Sequence, residues 1–505
     1  MKIILLSIAF ILIPIASFAQ SIDDPISQQD MRKDLEIFKK TRIEANSGLY
    51  KYRTKSEIDS IYRWADNQIP HCRTILDFYK VITKLSDFEG SLHNDVSFSD
   101  RRLKSTKKEN DGYFPYPIKK IDGKWLMNQT TEEIPLGSEI ISINSKPINQ
   151  IEKALYKYYS TDGINTSGKV HGLNSYFSLF YRYEYGPSVT FDVTYKTYES
   201  KHTESATIKS VDYTTQDKTN WKLRHSKPFE NRNGDKKYSF KLIDSQTGLL
   251  TINTFGFGGK SSKGHKKYTH FLDSVFTEID SMQLENLIVD IRENGGGNDP
   301  NDVVTYSYLT DRSFSENSQA WISFKKIPYV RYAATKIPVF LRPIAAIKYN
   351  KEFKKEFTKE INGNYYEDSA SWNHKIRKPH TKAFKKNIYL LISPRVASAG
   401  SLFGAMLAGN KNTTVIGEEA MGGYYGHNGH IPFGYILPKS KIATYFFLVN
   451  LEQDVPLKEN QIYNRGIIPD YHVSQTYEDY MNNVDTQMKY TLEMIKNSSD
   501  LQSNL

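Results

Sequence analysis

The stretch over residues 387–430 constrains the fold more than any other part of the chain. It begins with a continuous apolar run at 388–392, which has no polar alternation and therefore predicts a strand buried on both faces. A run of Ala, Ser and Gly at 397–401, which we call the serine corner, comes next. The apolar run 402–408 then favours a helix. Strand, tight corner and helix in this order indicate a layered core of helices on a sheet.

Ser398 lies in the serine corner, between the predicted strand and the predicted helix. Free backbone N–H groups gather at a helix N-terminus and favour developing negative charge. Acyl transfer needs such a place for its nucleophile and for its oxyanion. A plain turn of small residues would have the same composition, so this stretch alone leaves both interpretations open.

The first 19 residues have the pattern of a secretory signal peptide. Lys2 precedes an apolar run at 3–15, and Ser17-Phe18-Ala19 forms a small-x-small cleavage site before Gln20. The run is too short to span a membrane, and we expect no membrane span elsewhere. Cys72 is the single cysteine, so no intrachain disulfide is possible. Export without disulfides suits the bacterial envelope, so we expect a periplasmic or secreted protein.

The charge distribution argues against a nucleic-acid partner. The chain of 505 residues carries a formal net charge of +10, but positive and negative residues are mixed throughout and no basic run stands out. The length and a hydrophobic content of 39% suit two or three soluble domains. The oligomeric state stays open at this point.

The region before the core divides into two parts. Periodic apolar residues predict a helical domain over 20–111, with a capping-box pattern at Thr54 and Glu57. His93 follows the third predicted helix, a position where a histidine is usually a capping or surface residue. Short strand patterns, clearest at 134–148, then predict a β domain over 112–211.

The core is predicted over 212–475 and ends in a C-terminal helix over 476–505. Strand 248–253, helix 268–281 and strand 287–291 alternate, which indicates a largely parallel sheet covered by helices. The glycines at 295–297, which we call the glycine corner, would let backbone N–H groups approach a ligand. A phosphate is conceivable there, but the spacing fits neither common phosphate-loop pattern.

Two further features of the core are less informative. Asp299 and Pro300 predict the cap and first residue of a helix after the glycine corner. The Lys-rich and Tyr-rich segment 325–386 has few periodic runs. It predicts a surface excursion over the sheet, either a lid or a solvated decoration.

Four segments together resemble the tail-specific, or C-terminal processing, serine peptidases. They are Asp-Ile-Arg-Glu-Asn-Gly-Gly-Gly at 290–297, Ala-Ser-Ala at 397–399, Val-Ile-Gly-Glu at 415–418 and Gly-Ile-Ile-Pro-Asp at 466–470. Their order and approximate spacing match the family from about 248 to 473. The block at 135–148 is similar to the degenerate PDZ-like domain of many members. The resemblance implies an α+β and α/β multidomain fold: a helical N-terminal segment, a PDZ-like domain and a ClpP/crotonase-like core.

The resemblance also implies site residues. Ser398 matches the family nucleophile. The N–H of Ala399, with that of Gly295 or Gly296, would form the oxyanion hole. Most members use a lysine base about 25 residues after the serine, but Gly422-Gly423-Tyr424 stands there. Lys411 and Lys439 do not align with that place.

A second branch, similar to the tricorn core protease, uses a histidine from an N-terminal segment instead. The segment 87–96 resembles that element, so His93 would be the general base. Ser91 could orient the imidazole, although the branch places that residue directly beside the histidine, where Leu92 stands here. The branch also uses a glutamate at a position near Tyr463, and Glu459 is the nearest carboxylate.

The sequence thus predicts an exported serine endopeptidase that cleaves extended or unfolded polypeptides without a metal or organic cofactor. The alternative is a peptide-binding protein whose catalysis has decayed, which a clear separation of His93 from Ser398 would favour. An esterase of the α/β-hydrolase type fits less well, because it needs Gly-x-Ser-x-Gly and a more distant histidine. His427 and His430 could suggest a metal pair, but no third ligand is spaced to join them.

Overall fold

The computed structural model describes residues 21–108, 111–198, 200–225 and 236–503. The predicted signal peptide lies outside these residues. Within them, no helix combines the length and the apolar character needed to cross a membrane.

The N-terminal part is mainly helical, as predicted. Its elements are α1 (Gln28–Ala45), α2 (Lys55–Gln68), α3 (Ile75–Phe88), β1 (Asp95–Ser97) and α4 (Asp100–Thr106). The capping box is present, since Thr54 and Glu57 each bond the other's backbone N–H at the start of α2. The apolar faces of α1, α2 and α3 are buried in one core with the region that follows.

The middle region is a small antiparallel sheet with two helices, an arrangement consistent with the PDZ-like prediction. Its sheet order is β2-β3-β4-β6-β7, with β5 paired to β4. The elements are β2 (Ile118–Ile121), β3 (Lys124–Met127), β4 (Glu139–Ile143), β5 (Lys146–Pro147), α5 (Ile148–Leu155), α6 (Ser167–Tyr185), β6 (Thr190–Lys196) and β7 (Glu204–Lys209).

The C-terminal region contains a layered core and a second sheet. Its elements are β8 (Tyr238–Leu242), β9 (Thr247–Ile252), α7 (Lys263–Ser281), β10 (Asn286–Asp290), α8 (Asn301–Ser307), β11 (Asn317–Ile322), α9 (Arg342–Glu356), β12 (Phe357–Ile361), β13 (Asn364–Glu367), β14 (Asn387–Ile392), α10 (Ala399–Ala408), β15 (Thr413–Gly417), β16 (Asn428–Ile436), β17 (Ala443–Gln453), β18 (Tyr471–His472), α11 (Tyr477–Met481) and α12 (Thr486–Ser503).

The predicted parallel sheet is confirmed. The strand order is β18-β15-β14-β10-β9-β8, and only β8 runs antiparallel to its neighbour. The central strands β10 and β14 are buried and apolar apart from their terminal residues, and helices cover them. A second, antiparallel sheet has the order β1-β17-β11-β13-β12, and β16 pairs with β17. Through β1, the N-terminal region therefore becomes part of the second sheet.

Two predictions about the core are wrong. Asp299 does not cap a helix with Pro300 as its first residue, because α8 begins at Asn301, whose N–H bonds the carbonyl of Asn298 in a preceding turn. The segment 325–386 is not simply an excursion over a sheet, because β12 and β13 extend the second sheet as a hairpin. Its tight turn is Asn362-Gly363, with φ of 49° and 81°.

Candidate active site

The glycine corner and the serine corner meet at one edge of the parallel sheet. Strands β10 and β14 are neighbours, with Asp290 opposite Leu391, so the chain leaves both strands at the same edge. The carbonyl of Asn294 accepts the N–H of Ala397 at 3.3 Å. A Cβ atom on Gly296 would lie 2.8 Å from the Cβ of Ser398, at a φ of +107°. Only glycine allows this approach of the two corners.

Ser398 adopts a backbone conformation that non-glycine residues rarely occupy. Its φ is 53° and its ψ is −131°, immediately before α10. Such a conformation costs about 1–3 kcal/mol and persists only where the surroundings hold it. The Ser398 carbonyl accepts the N–H of Leu402 at 2.9 Å and the hydroxyl of Ser401 at 2.8 Å. The sharp turn leaves Ser398 partly exposed at the start of the helix.

The structure brings His93 to Ser398 across a separation of 305 residues. Nε2 of His93 lies 3.2 Å from Oγ of Ser398. The strand β1 begins two residues after His93 and pairs with β17, with Asp95 opposite Tyr445. The second sheet therefore anchors the loop that carries the imidazole. The clear separation that would have favoured a binding protein is not present.

The imidazole of His93 is held by the backbone of β16 and by an aromatic ring. Nδ1 lies 2.6 Å from the carbonyl oxygen of Asn428, and the ring stacks on Phe447 with centroids 4.0 Å apart. A carbonyl oxygen can only accept, so Nδ1 is assigned the hydrogen and Nε2 presents its lone pair to Ser398. This tautomer is the one that a general base requires.

Two neutral imidazoles lie side by side in this site. Burial lowers the pKa of His93 to about 4, and the Asn428 carbonyl offsets part of that effect. His427 is buried, with its ring centroid 5.1 Å from that of His93. Burial and then the neighbouring His93 lower the pKa of His427 well below its ordinary value. At neutral pH, His93 is therefore free to accept a proton.

The structure favours Gly295 over Gly296 as the second member of the candidate oxyanion hole. The N–H of Gly296 donates to the side-chain oxygen of Asn294 at 2.9 Å, so it is occupied within the protein. Among the described residues, the N–H groups of Gly295 and Ala399 have no hydrogen-bond acceptor. Ala399 is the first residue of α10, where a free N–H is expected. These two N–H groups are the ones available to an oxyanion.

The structure does not place Ser91 or Glu459 in the role predicted for them. The Nδ1 atom that either residue would orient is bonded to the Asn428 carbonyl instead. Ser91 is buried, and its hydroxyl has no partner among the described residues. Glu459 is exposed on the loop after β17. A backbone carbonyl thus stands where the sequence predicts a hydroxyl or a carboxylate.

Asp162 connects the middle region to the loops around the site, and no motif in the sequence marks it. Its fully buried carboxylate accepts the N–H of Leu92 on one oxygen and that of Gly423 on the other, both at 3.0 Å. Burial raises the pKa of Asp162 to about 7, although these bonds and Lys51 act to lower it. Leu92 directly precedes His93, so Asp162 fixes the loop of the candidate base.

The two histidines after the serine corner do not share a partner. Nε2 of His430 lies 3.3 Å and 3.2 Å from the amide nitrogens of Asn317 and Asn373. Nδ1 of His427 has no partner among the described residues. The geometry gives no support to a metal pair.

A cavity of about 460 Å³ begins beside the serine corner. Residues of β2 and α6 and the segment 393–395 line it, so it lies between the middle region and the parallel sheet. Its charged lining residues have both signs: Lys119, Lys120, Arg224, Arg395, Asp122, Glu293 and Glu418.

Comparison with known proteins relates the core of this chain to a family. Residues 246–473 match the model of peptidase family S41. The crystal structure of mature CPAF is similar, with a TM-score of 0.61 and 13% identity over 94% of this chain and 98% of that chain. Mature CPAF complexed with lactacystin gives the same TM-score and identity, over 94% and 100% of the two chains.

A putative peptidase from Parabacteroides merdae is 14% identical over 93% of this chain and 96% of its own, with a TM-score of 0.45. At such identities, the likeness to CPAF shows a shared fold. No curated protein sequence matches this chain.

Proposed function

We propose that Ser398 is the nucleophile and His93 the general base of a serine peptidase, whose residues 246–473 match the model of peptidase family S41. The observation that carries the proposal is the 3.2 Å distance from Nε2 of His93 to Oγ of Ser398. The hydrogen bond from Nδ1 to the carbonyl of Asn428 also supports the tautomer in which Nε2 is free to accept a proton. No lysine is needed in this arrangement.

The proposed reaction follows from these positions. Oγ of Ser398 attacks the scissile carbonyl while Nε2 of His93 takes the hydroxyl proton. The N–H groups of Ala399 and Gly295 stabilise the oxyanion. His93 then gives the proton to the leaving amine, which leaves an acyl-enzyme at Ser398. Water, activated by the same imidazole, hydrolyses the acyl-enzyme and regenerates the site.

We propose extended or unfolded polypeptides as substrates. The cavity lies between the middle region and the core, and its lining residues 393–395 precede the serine corner in the chain, so we propose that an extended segment passes there on its way to Ser398. Its lining of mixed charge suits backbone and polar side chains rather than a purely apolar ligand. The sheet of the middle region has β2 and β7 at its edges, so the PDZ-like domain could add a substrate strand there.

Casein cleavage by matched variants tests the catalytic pair. We expect Ser398→Ala and His93→Ala to abolish cleavage without lowering the melting temperature. His270→Ala, at an exposed position of α7, should leave cleavage unchanged. A fluorophosphonate probe should label the wild type at Ser398 and fail to label Ser398→Ala. Full activity in either candidate variant would refute the assignment of that residue.

We also propose that the protein is exported to the periplasm or beyond. The proposal rests on the pattern of residues 1–19. Expression of the whole chain in a bacterial host, followed by fractionation and mass spectrometry, should find a product that begins at Gln20 outside the cytoplasm. An intact N-terminus in the cytoplasmic fraction would contradict it.

A further inference from the structure

Three carboxylates gather just beyond the glycine corner. They belong to Asp299, Asp302 and Glu316, and we call them the carboxylate cluster. One oxygen from each lies within 4.8 Å of the others. Asp299 follows the glycine corner by two residues, Asp302 lies in α8, and Glu316 directly precedes β11. The cluster thus joins the segment after the glycine corner to α8 and to the start of β11.

Two members of the cluster are buried without a partner. Asp302 and Glu316 have no exposed surface, and none of their four carboxylate oxygens makes a hydrogen bond of good geometry among the described residues. The backbone N–H groups of Asp302 and Val303, at the start of α8, lie near the Asp302 carboxylate and lower its pKa. Buried carboxylates are normally paired or hydrogen-bonded, because an unpaired buried charge is strongly unfavourable. Such a pair points to a bound positive charge or to bound protons.

The neighbouring cation does not neutralise the cluster by direct contact. Arg377 lowers the pKa of Asp302 and of Glu316 through its charge. Its guanidinium, however, donates to the carbonyls of Lys375 and Trp372 at 3.0 Å and 2.9 Å. Arg377 therefore makes no hydrogen bond to the carboxylate oxygens of Asp302 or Glu316.

The donor set selects a hard divalent cation. Carboxylate oxygens without sulfur or imidazole suit Ca²⁺ and Mg²⁺ rather than zinc or copper. Opposite ligands of Ca²⁺ lie about 4.6–5.2 Å apart, whereas those of Mg²⁺ lie about 4.0–4.2 Å apart. Oxygen spacings of up to 4.8 Å fit Ca²⁺, whose coordination tolerates irregular geometry, more readily than Mg²⁺, which requires a near-ideal octahedron. Asp299 is partly exposed and offers a path from solvent.

We propose that Asp299, Asp302 and Glu316 bind one divalent cation, with Ca²⁺ the best fit, at a structural site that braces the glycine corner. The cation would join the end of that corner to α8 and to the start of β11. The corner already contacts the segment after β9, where the N–H of Phe255 donates to the carbonyl of Gly296 at 2.9 Å. Cation binding would stabilise this arrangement without taking part in the reaction.

Calorimetric titration of the purified, EDTA-treated chain with CaCl2 tests the proposal. We expect one equivalent to bind and to raise the melting temperature by about 2–5 °C at 100-fold excess over the dissociation constant. Asp302→Asn and Glu316→Gln should lose both the binding heat and the shift. These variants remove an unpaired buried charge, so they should fold without the cation. Glu278→Gln, exposed on α7, should behave like the wild type.

Each alternative outcome overturns part of the proposal. If CaCl2, MgCl2 and MnCl2 all give neither heat nor a shift in the wild type, the carboxyls hold protons and no cation site exists. If the shift persists in Asp302→Asn and Glu316→Gln, the ion binds elsewhere. A shift with MgCl2 but not with CaCl2 would overturn the choice of calcium.

Discussion

Asp162→Asn probes how the middle region controls the candidate base. The carboxylate of Asp162 accepts the N–H groups of Leu92 and Gly423, both at 3.0 Å. Asparagine has nearly the same shape but keeps only one acceptor, and its amide group would face the other N–H as a second donor. The variant therefore loosens one of two loops at the active site while the rest of the packing stays intact.

The expected magnitude follows from one lost hydrogen bond and one unsatisfied buried N–H. Together these cost about 1.5–3 kcal/mol. If the cost falls on the placement of His93, kcat should decrease about 10- to 100-fold, since about 1.4 kcal/mol corresponds to a tenfold change in rate. KM should change little, because Asp162 is fully buried and cannot contact substrate.

The pH profile separates a positioning role from a purely structural one. Burial raises the pKa of Asp162 to about 7, so the carboxylate gains a proton as the pH falls through that value. The protonated acid resembles asparagine as a donor. Wild-type kcat should therefore rise as the pH increases through about 7, whereas Asp162→Asn should be flat there. Casein cleavage by both enzymes, with the exposed variant Asp280→Asn on α7 as control, measures this. Unchanged kcat in Asp162→Asn, or the same rise of kcat through about pH 7 in both enzymes, would refute the reasoning.

Three further outcomes test the site and its support. Burial lowers the pKa of His93 to about 4, and only the neutral imidazole accepts a proton. The kcat/KM of Asp162→Asn should therefore fall as the pH decreases through about 4. A midpoint of that fall at pH 6.5 or above would contradict this. Gly296→Ala would place a Cβ 2.8 Å from that of Ser398 at a φ of +107°, so fluorophosphonate labelling should be lost and urea unfolding should show a destabilisation of about 1–3 kcal/mol. Arg42→Ala leaves Glu89 buried without its ion-pair partner, now 3.2 Å away, which should lower the free energy of unfolding by about 3–5 kcal/mol; a loss below 1 kcal/mol in urea would refute the importance of that pair.

The elements of the core were predictable where one physical signal dominated. The continuous apolar runs of β10 and β14 specify buried strands, and the reciprocal bonds of Thr54 and Glu57 specify the start of α2. The hairpin between β12 and β13 was missed although Asn362-Gly363 is a strong turn signal. Its strands are short and mostly exposed, so they lack the apolar alternation that identifies a strand.

Within the candidate site, the sequence predicted only the residues that lie in recognisable motifs. The motifs around Ser398 and His93 identify both residues, and their juxtaposition follows from the pairing of β1 with β17. The partner of His93 could not be found this way, because every residue offers the carbonyl that Asn428 provides. Asp162 lies 70 residues from Leu92 and 261 from Gly423, and its type alone does not distinguish it from other aspartates.

In this site, burial reverses the usual order of the pKa values of a carboxyl group and an imidazole. It disfavours the charged form of each group, so the pKa of the carboxyl of Asp162 rises to about 7 while that of the imidazole of His93 falls to about 4. Asn428 gives His93 only a neutral carbonyl, which orients the ring but supports its positive charge less than a carboxylate would. His93 is therefore neutral over the whole pH range in which Asp162 titrates. The lowest pH of full activity should then depend on the hydrogen bond from Leu92 to Asp162, which attaches the loop of His93 to the middle region, and not on the protonation of His93.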